Sequence, residues 1–396
     1  MPTIAAQYDH DQAALATCAA LTRRIRHRIA AQGGAIGFDQ FMRLALYAPG
    51  LGYYAAGATK LGAAGDFITA PELAGDQDRS LFALALAAAV APILRQLSGA
   101  THILEFGAGS GKLCLDLLHA LADARCLPRR YLILEPSAQL RQRQQQRLLG
   151  KTPCPVAWLS AWPESPINGV VLANEVLDAM PVQRFVIDQA HIAEQTVCLH
   201  DGALCWGRRP ADPALTARVD AIRRNLPQAL PAGYASELNP ALDGWFQALS
   251  DCLRQGVALL IDYGYPRAEY YLPERRAGTL ICHQRHRAHD DPLHQPGLQD
   301  ISAFVDFTAC AQAARHADLA VLGFTTQAAF LLDCGVHNLL PNHSADHSVN
   351  YLKRAQELKT LTLPGAMGER FKVLALGRGV EPEFPGLRFS DQRWRL

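Results

Sequence analysis

The stretch that most constrains this chain is Glu105-Phe-Gly-Ala-Gly-Ser-Gly-Lys112, which follows the apolar pair Ile103-Leu104 and precedes Leu113, Leu115, Leu117, Leu118 and Leu121. Glycines at alternate positions, Gly107, Gly109 and Gly111, let the backbone turn sharply at a strand end and approach a ligand closely, because no Cβ stands in the way. The leucines recur at helical spacing. The loop therefore joins a strand to a helix whose first amides face the ligand.

Three glycine-rich loops compete for this segment, and spacing separates them. A dinucleotide fingerprint requires glycine where this chain has Lys112; a phosphate-cradling loop requires glycine and a hydroxyl residue where it has Phe106 and Leu113. What survives is the acidic-x-Gly-x-Gly-x-Gly pattern associated with S-adenosylmethionine. Glu105 can accept hydrogen bonds from the methionine ammonium, a donor that nicotinamide cofactors lack. Downstream, Arg130-Tyr-Leu-Ile-Leu-Glu-Pro136 reads as a buried strand ending in a carboxylate. An acid at that place takes ribose hydroxyls, so Glu135 is the expected ribose ligand.

The 38 Lys plus Arg against 37 Asp plus Glu argue against a general nucleic-acid or anionic-membrane surface, which needs excess positive charge. Ten cysteines without a Cys-x-x-Cys motif fit a reducing compartment. The longest apolar run, 80–94, contains Pro92 and falls short of the ~20 residues that span a bilayer, so it reads as a core helix. The basic segment 21–29 could suggest a presequence, but Asp9 and Asp11 lie upstream and serines are missing; it reads as a surface helix.

Helices are expected over 22–32, 38–47, most of 72–97 and about 240–255. Strands are expected over 103–106, 131–134, 155–159, 169–173 and 257–261, with late strands at 318–324 and 371–376. This alternation implies an α/β fold with a mostly parallel, Rossmann-like sheet covered on both faces. Between the fourth and fifth strands, segments 182–187, 191–199 and 203–207 read as antiparallel ribbons, with Asp201-Gly202 as a hairpin turn. The expected organisation is an N-terminal helical region with a cofactor-covering loop (1–98), the first part of the core (99–180), a β-rich insertion (181–238) and the rest of the core with acceptor-side loops (239–396).

Asn174, Glu175 and Asp178 fall just beyond the carboxyl end of a strand, the edge at which open α/β sheets bind ligands. Paired carboxylates there suit a multi-donor cation such as a guanidinium. Glu175 is the candidate for holding it and Asp178 for assisting proton removal, with the roles exchangeable; a helix cap and a solvated acid are the alternative. In Gly65-Asp-Phe-Ile-Thr-Ala-Pro-Glu72, Thr69 and Glu72 have capping-box spacing, while Thr69 and Asp66 are equally candidates for meeting the cofactor. Asp262 and Tyr263 end another strand and would shape the acceptor pocket, unless they only begin the turn favoured by Gly264 and Pro266. His283, His286 and His289 invite a metal reading, but the interleaved arginines repel a cation and Pro292 and Pro296 leave no room for a long helix. No metal is expected. A polar loop near the acceptor is preferred, with His286 on the substrate side.

Together these segments resemble the MidA-like family, whose mitochondrial members are complex I assembly factors acting as protein arginine methyltransferases. The likeness runs from Phe41-Met42 and Leu51-Gly-Tyr-Tyr54 through residues 65–72, 105–111, 174–181, 261–264 and 300–307 to Met367-Gly-Glu-Arg-Phe-Lys372. The resemblance implies a class I S-adenosylmethionine-dependent methyltransferase. It also implies an arginine acceptor in a protein such as a respiratory NADH dehydrogenase subunit, in the cytoplasm of a bacterium or the mitochondrial matrix of a eukaryote. A small-molecule N- or O-methyltransferase and a non-catalytic cofactor-binding assembly protein are the alternatives, and homodimerisation is left open. The chain departs from the family pattern at residues 73–79 and at Phe304, where relatives often carry histidine; both departures bear on the acceptor side.

Overall fold

The computed structural model describes residues 4–55, 69–76, 78–188, 191–285, 287–340, 349–381 and 383–396. In chain order these run α1 (Ile4–Ala31), β1 (Ala35–Gly37), α2 (Phe38–Tyr47), α3 (Leu81–Gln96), β2 (Thr101–Phe106), α4 (Lys112–Asp123), β3 (Arg130–Leu134), α5 (Ala138–Leu148), β4 (Val156–Leu159) and β5 (Ile167–Asn174). There follow β6 (Gln183–Asp188), β7 (His191–His200), β8 (Ala203–Pro210), α6 (Pro213–Arg224), β9 (Tyr234–Leu238), α7 (Leu242–Cys252), β10 (Leu253–Tyr265) and α8 (Arg267–Tyr270). The last are β11 (Ile281–Gln284), β12 (Arg287–His289), β13 (Asp300–Ser302), β14 (Val305–Asp306), α9 (Phe307–His316), β15 (Ala320–Thr326), α10 (Gln327–Asp333), α11 (Val349–Thr362) and β16 (Phe371–Arg378).

The chain divides into two compact units. The larger comprises residues 61–177, 242–266 and 305–396; the smaller comprises residues 1–60, 178–241 and 267–304. In the larger unit the strand order is β15-β16-β10-β5-β2-β3-β4, with β14 pairing β10. Strands β4, β3, β2, β5 and β10 are parallel, whereas β16 runs antiparallel to both β10 and β15. This is the Rossmann-like α/β sheet expected from the alternation of strands and helices.

The apolar core lies where α3, α4, α10 and α11 cover one face of the sheet, with Phe82, Leu86, Leu117, Leu121, Val170, Leu259 and Val373 all buried. α3 begins at Ser80, whose hydroxyl caps the Ala83 amide, and continues through Pro92. Its start is anchored by buried acids: Asp116 accepts from the Ser80 amide at 2.9 Å and from Lys112 Nζ at 2.8 Å, and Glu357 accepts from the Leu81 amide at 2.6 Å. Lys112 is thus committed to a buried ion pair, which is costly to break by removing one partner.

The smaller unit holds a five-stranded antiparallel sheet, β1-β7-β6-β9 with β8 on β7, and a three-stranded one, β12-β11-β13. The ribbons and the Asp201-Gly202 hairpin turn stand where the alternating pattern put them. The polar loop expected around His283 is instead the strand pair β11 and β12, in which Cys282 faces His289 across the ladder and is fully buried. The flanking histidines and arginines masked that short alternation. α1 starts well before the expected residue 22, because alanine-rich polar sequence sustains a helix without a strong apolar stripe.

Two glycines set the spacing of the parallel strands. Gly169 and Gly256 are register partners, and Gly169 also faces His102 on β2. Their φ values are +154° and +143°; a Cβ on Gly169 would lie 1.7 Å from the His102 carbonyl oxygen, and one on Gly256 would lie 1.8 Å from the Gly169 carbonyl oxygen. Gly169→Ala is therefore expected to destabilise the fold by about 3 kcal/mol or more, read as a lowered urea midpoint at unchanged slope. Gly233→Ala, at a turn with open space around its Cα, serves as the milder control.

Candidate active site

β2 ends at Phe106, and the chain turns through Gly107, Gly109 and Gly111 at φ of 58°, 55° and 84°. Each lies in the left-handed region that glycine tolerates at no steric cost. The Gly107 amide donates to the Leu134 carbonyl at 3.1 Å and the Gly111 amide to the Ala108 carbonyl at 2.7 Å, which pins both ends of the turn. Among the described residues, a Cβ on Gly107 would meet only Val176 Cγ2, at 3.8 Å. The space over this glycine is therefore open, and the turn after β5 shares the rim with the glycine loop.

Glu135 follows β3 and is buried; its Oε1 accepts from the Ser137 amide at 2.9 Å and its Oε2 from Gln144 Nε2 at 3.0 Å. Burial pushes its carboxyl up, against these two bonds and the Arg141 charge. Each oxygen retains a lone pair for a ribose hydroxyl. Gln144, on α5 and fully buried, also donates to the Gly109 carbonyl at 3.0 Å and accepts from the Trp158 indole at 3.0 Å. One carboxamide thus joins the glycine loop, Glu135 and β4. Sequence reasoning missed Gln144 in the run Arg141-Gln-Arg-Gln-Gln-Gln-Arg147; the usable signal was its place four residues from both Leu140 and Leu148, on the inward stripe.

Glu105 is 3% exposed, and its Oε2 accepts from the Tyr131 hydroxyl at 2.8 Å. Burial pushes its carboxyl up to about 8, the phenol hydrogen bond opposes this, and the Glu135 charge adds to it. A buried acid in that state gains from a cation, which favours the carboxylate. The residues present fit an adenosyl ligand with an ammonium end.

On the rim after β5, Glu175 has φ +54°, a backbone region that a non-glycine residue occupies only when its surroundings enforce it. The enforcement is visible. The Glu175 amide donates to the Ile261 carbonyl at 2.9 Å, and Asp262 Oδ2 accepts from the Val176 and Leu177 amides at 3.1 and 2.9 Å. Asp262 Oδ1 accepts from the Tyr263 amide at 2.9 Å. Both oxygens of Asp262 therefore clamp backbone, while the Tyr263 ring meets Phe371 edge-on at 5.1 Å. Asn174 Nδ2 donates to Glu175 Oε1 at 3.1 Å, and Asn174 Oδ1 is a buried acceptor with no donor among the described residues. Lys372, opposite Asp262 in register, donates to the Glu369 carbonyl and sits over the Tyr265 ring; burial pushes its amine down to about 8.

The structure thus gathers Glu105, the glycines, Glu135, Asn174, Glu175, Asp262 and Tyr263 on one unit. Thr69 precedes a short 3-10 turn without capping it through its side chain, and Glu72 accepts from Ser110 Oγ instead. The capping-box expectation is corrected: a single 3-10 turn, with Pro71 inside it, provides no helix to cap. Asp66 and His286 lie outside the described residues. Asp178 belongs to the smaller unit, where it is buried and its carbonyl accepts from the Ala303 amide at 2.9 Å. That unit also joins two segments that sequence reasoning left without a role: Tyr54 donates to Asp300 Oδ1 at 2.9 Å, and Ser302 to Asp300 Oδ2 at 3.0 Å. The Tyr54 hydroxyl is held well above its usual range by burial first and then by the Asp300 charge. No group of three or more His, Cys, Asp or Glu able to hold a metal occurs among the described residues.

Glu105 gives the ligand-free protein a measurable pH dependence. Its carboxyl stands at about 8 in the fold against an ordinary 4.5, so the native state holds a proton that the unfolded chain releases in that interval. The associated stability is fully present below about pH 4.5 and is lost as pH rises through about 8. Glu105→Gln is expected to reduce the fall of urea-derived stability across this window, leaving the part due to Glu357, which burial raises to about 7; an unchanged slope would contradict the assignment.

A family model described as "Putative S-adenosyl-L-methionine-dependent methyltransferase" matches residues 85–325. A Burkholderia thailandensis crystal structure bound to S-adenosyl-homocysteine superposes with TM-score 0.89 at 39% identity, covering 100% of this chain and 99% of that one. A native crystal structure of a COG1565 superfamily protein from the same organism gives 0.87 at 38%, with the same coverage. The zebrafish (Danio rerio) protein arginine methyltransferase NDUFAF7, mitochondrial, is 28% identical over 87% of this chain and 83% of its own length. The Drosophila melanogaster homologue is 26% identical over 91% and 85%. With the glycine loop and its two buried acids in place beneath a matching family model, the chain belongs to this family of S-adenosylmethionine-dependent methyltransferases.

Proposed function

We propose that this methyltransferase modifies arginine in a protein acceptor, with a respiratory NADH dehydrogenase subunit as the first candidate. The observation that carries the reading is Glu175, an acid held at φ +54° on the rim, with Val176 beside the open space over Gly107. The zebrafish and Drosophila relatives, both named as protein arginine methyltransferases, support the same reading.

When bound, S-adenosylmethionine supplies an electrophilic methyl group on a sulfonium. The glycine loop and Glu135, fixed by Gln144, would hold the adenosyl part, and Glu105 would pair with the ammonium. Glu175 pairs with the acceptor guanidinium and Asn174 fixes the Glu175 carboxylate, while the free Asn174 Oδ1 accepts a further N–H. Asp262 keeps the turn in register through its bonds to the Val176, Leu177 and Tyr263 amides. A guanidinium keeps its proton at neutral pH, so the proton leaves only as the nitrogen is alkylated; aligning that nitrogen supplies much of the rate. Asp178, buried in the smaller unit, is a separate candidate, and its substitution by Asn tests a part in proton removal.

Labelled methyl donor offered with arginine peptides, lysine peptides and a metabolite mixture is expected to mark arginine side chains, located by mass spectrometry. Label confined to metabolites would reject the acceptor class. Glu175→Gln is expected to lower kcat on the order of a hundredfold while S-adenosylhomocysteine binding stays near wild type. Gln144→Leu is expected to do the reverse, weakening S-adenosylhomocysteine binding roughly tenfold by calorimetric titration.

A further inference from the structure

The smaller unit carries two thiols that methyl transfer does not use. Cys198 in β7 and Cys205 in β8 are register partners across the hairpin, and their Sγ atoms lie 3.1 Å apart. Directly opposed residues of antiparallel strands have Cα atoms ~4.5–5.5 Å apart, inside the ~4.4–6.8 Å range that disulfides bridge. Gly207 leaves room for the pair, since a Cβ there would stand 3.0 Å from Cys198 Sγ. Both thiols are half-buried, whereas Cys114, Cys252, Cys282 and Cys310 are buried. Cys205 also lines an open cavity of about 540 Å³ with Trp206 and His294, through which a small reagent reaches it.

We propose that Cys198 and Cys205 are a reversible modification site, joined as an intramolecular disulfide by exchange with a small disulfide of the glutathione class. Burial, and next the hydrogen bond with Cys205, push the Cys198 thiol up to about 11. The first attack falls to Cys205, which lines the cavity that a small disulfide enters and reacts as its thiolate. Its thiolate displaces one glutathione thiolate and forms a mixed disulfide. Cys198, on losing its proton to water, then attacks Cys205 Sγ, and the second glutathione leaves. Two protein thiols and one glutathione disulfide become one protein disulfide and two glutathione thiols, with two electrons passing to glutathione. The new bond fastens β8, whose strand partner is β7, to the interior of the five-stranded sheet.

The full chain, equilibrated over a series of reduced-to-oxidised glutathione ratios, blocked with an alkylating reagent and digested, tests this by mass spectrometry. The expected product is a cross-link between the segments holding Cys198 and Cys205, lighter by two hydrogen atoms and reversed by reduced glutathione. Amide exchange in β8 is expected to slow roughly tenfold in the oxidised form. In Cys198→Ser or Cys205→Ser, the remaining cysteine of the pair is expected to carry a glutathione adduct. Separate adducts on both cysteines of the wild type, persistent free thiols in excess oxidised glutathione, or pairing of either residue with Cys18 would each overturn the proposal.

Discussion

The glycine loop of the larger unit depends on one buried carboxamide. Gln144 holds the Gly109 carbonyl, the Glu135 carboxylate and the Trp158 indole in a single set of hydrogen bonds. A glycine loop has the freedom to bind closely and the same freedom to collapse; bonding its carbonyl from behind removes the second without filling the space in front. The open volume over Gly107 and the left-handed glycines follow from that restraint as much as from the missing side chains.

The turn after β5 uses the same device with an acid. Asp262 spends both carboxylate oxygens on the amides of Val176, Leu177 and Tyr263, and so holds Glu175 in a conformation that it would not adopt unaided. Around these restraints stand buried groups displaced from their ordinary titration range: Glu105 and Glu135 upward, Lys372 downward. Burial is the largest cause in each case. The rim is therefore less stable than an apolar equivalent would be, a common state for surfaces that gain partners only on binding.

Much of this was legible in the sequence. The glycine spacing and the acid-ended strands put Glu105 and Glu135 at the ends of β2 and β3, and the alternating pattern put antiparallel strands and the Asp201-Gly202 turn between β5 and β10. What failed to show had physical reasons. Gln144 looks like surface in a polar helix, because its burial is decided by bonds to residues far away in the chain. Thr69 and Glu72 have the spacing of a capping box, but Pro71 and a three-residue turn leave nothing to cap, and Glu72 is claimed by Ser110. That Asp262 also bonds the amides of Val176 and Leu177 has no signature in the sequence, since it depends on a turn 85 positions away. The pairing of Tyr54 with Asp300 spans 246 positions and has no local signature.

The placement of β16 has a consequence for how the molecule is made. This strand lies between β10 and β15, yet among the described residues it is the last strand in the chain. Until it leaves the ribosome, β10 presents an open edge and β15 has no neighbour to pair with, so the larger unit cannot close as it is synthesised. A nascent chain stalled before Phe371 would carry an exposed parallel sheet, the kind of surface that chaperones recognise, whereas the antiparallel ribbons of the smaller unit already have their strands in hand.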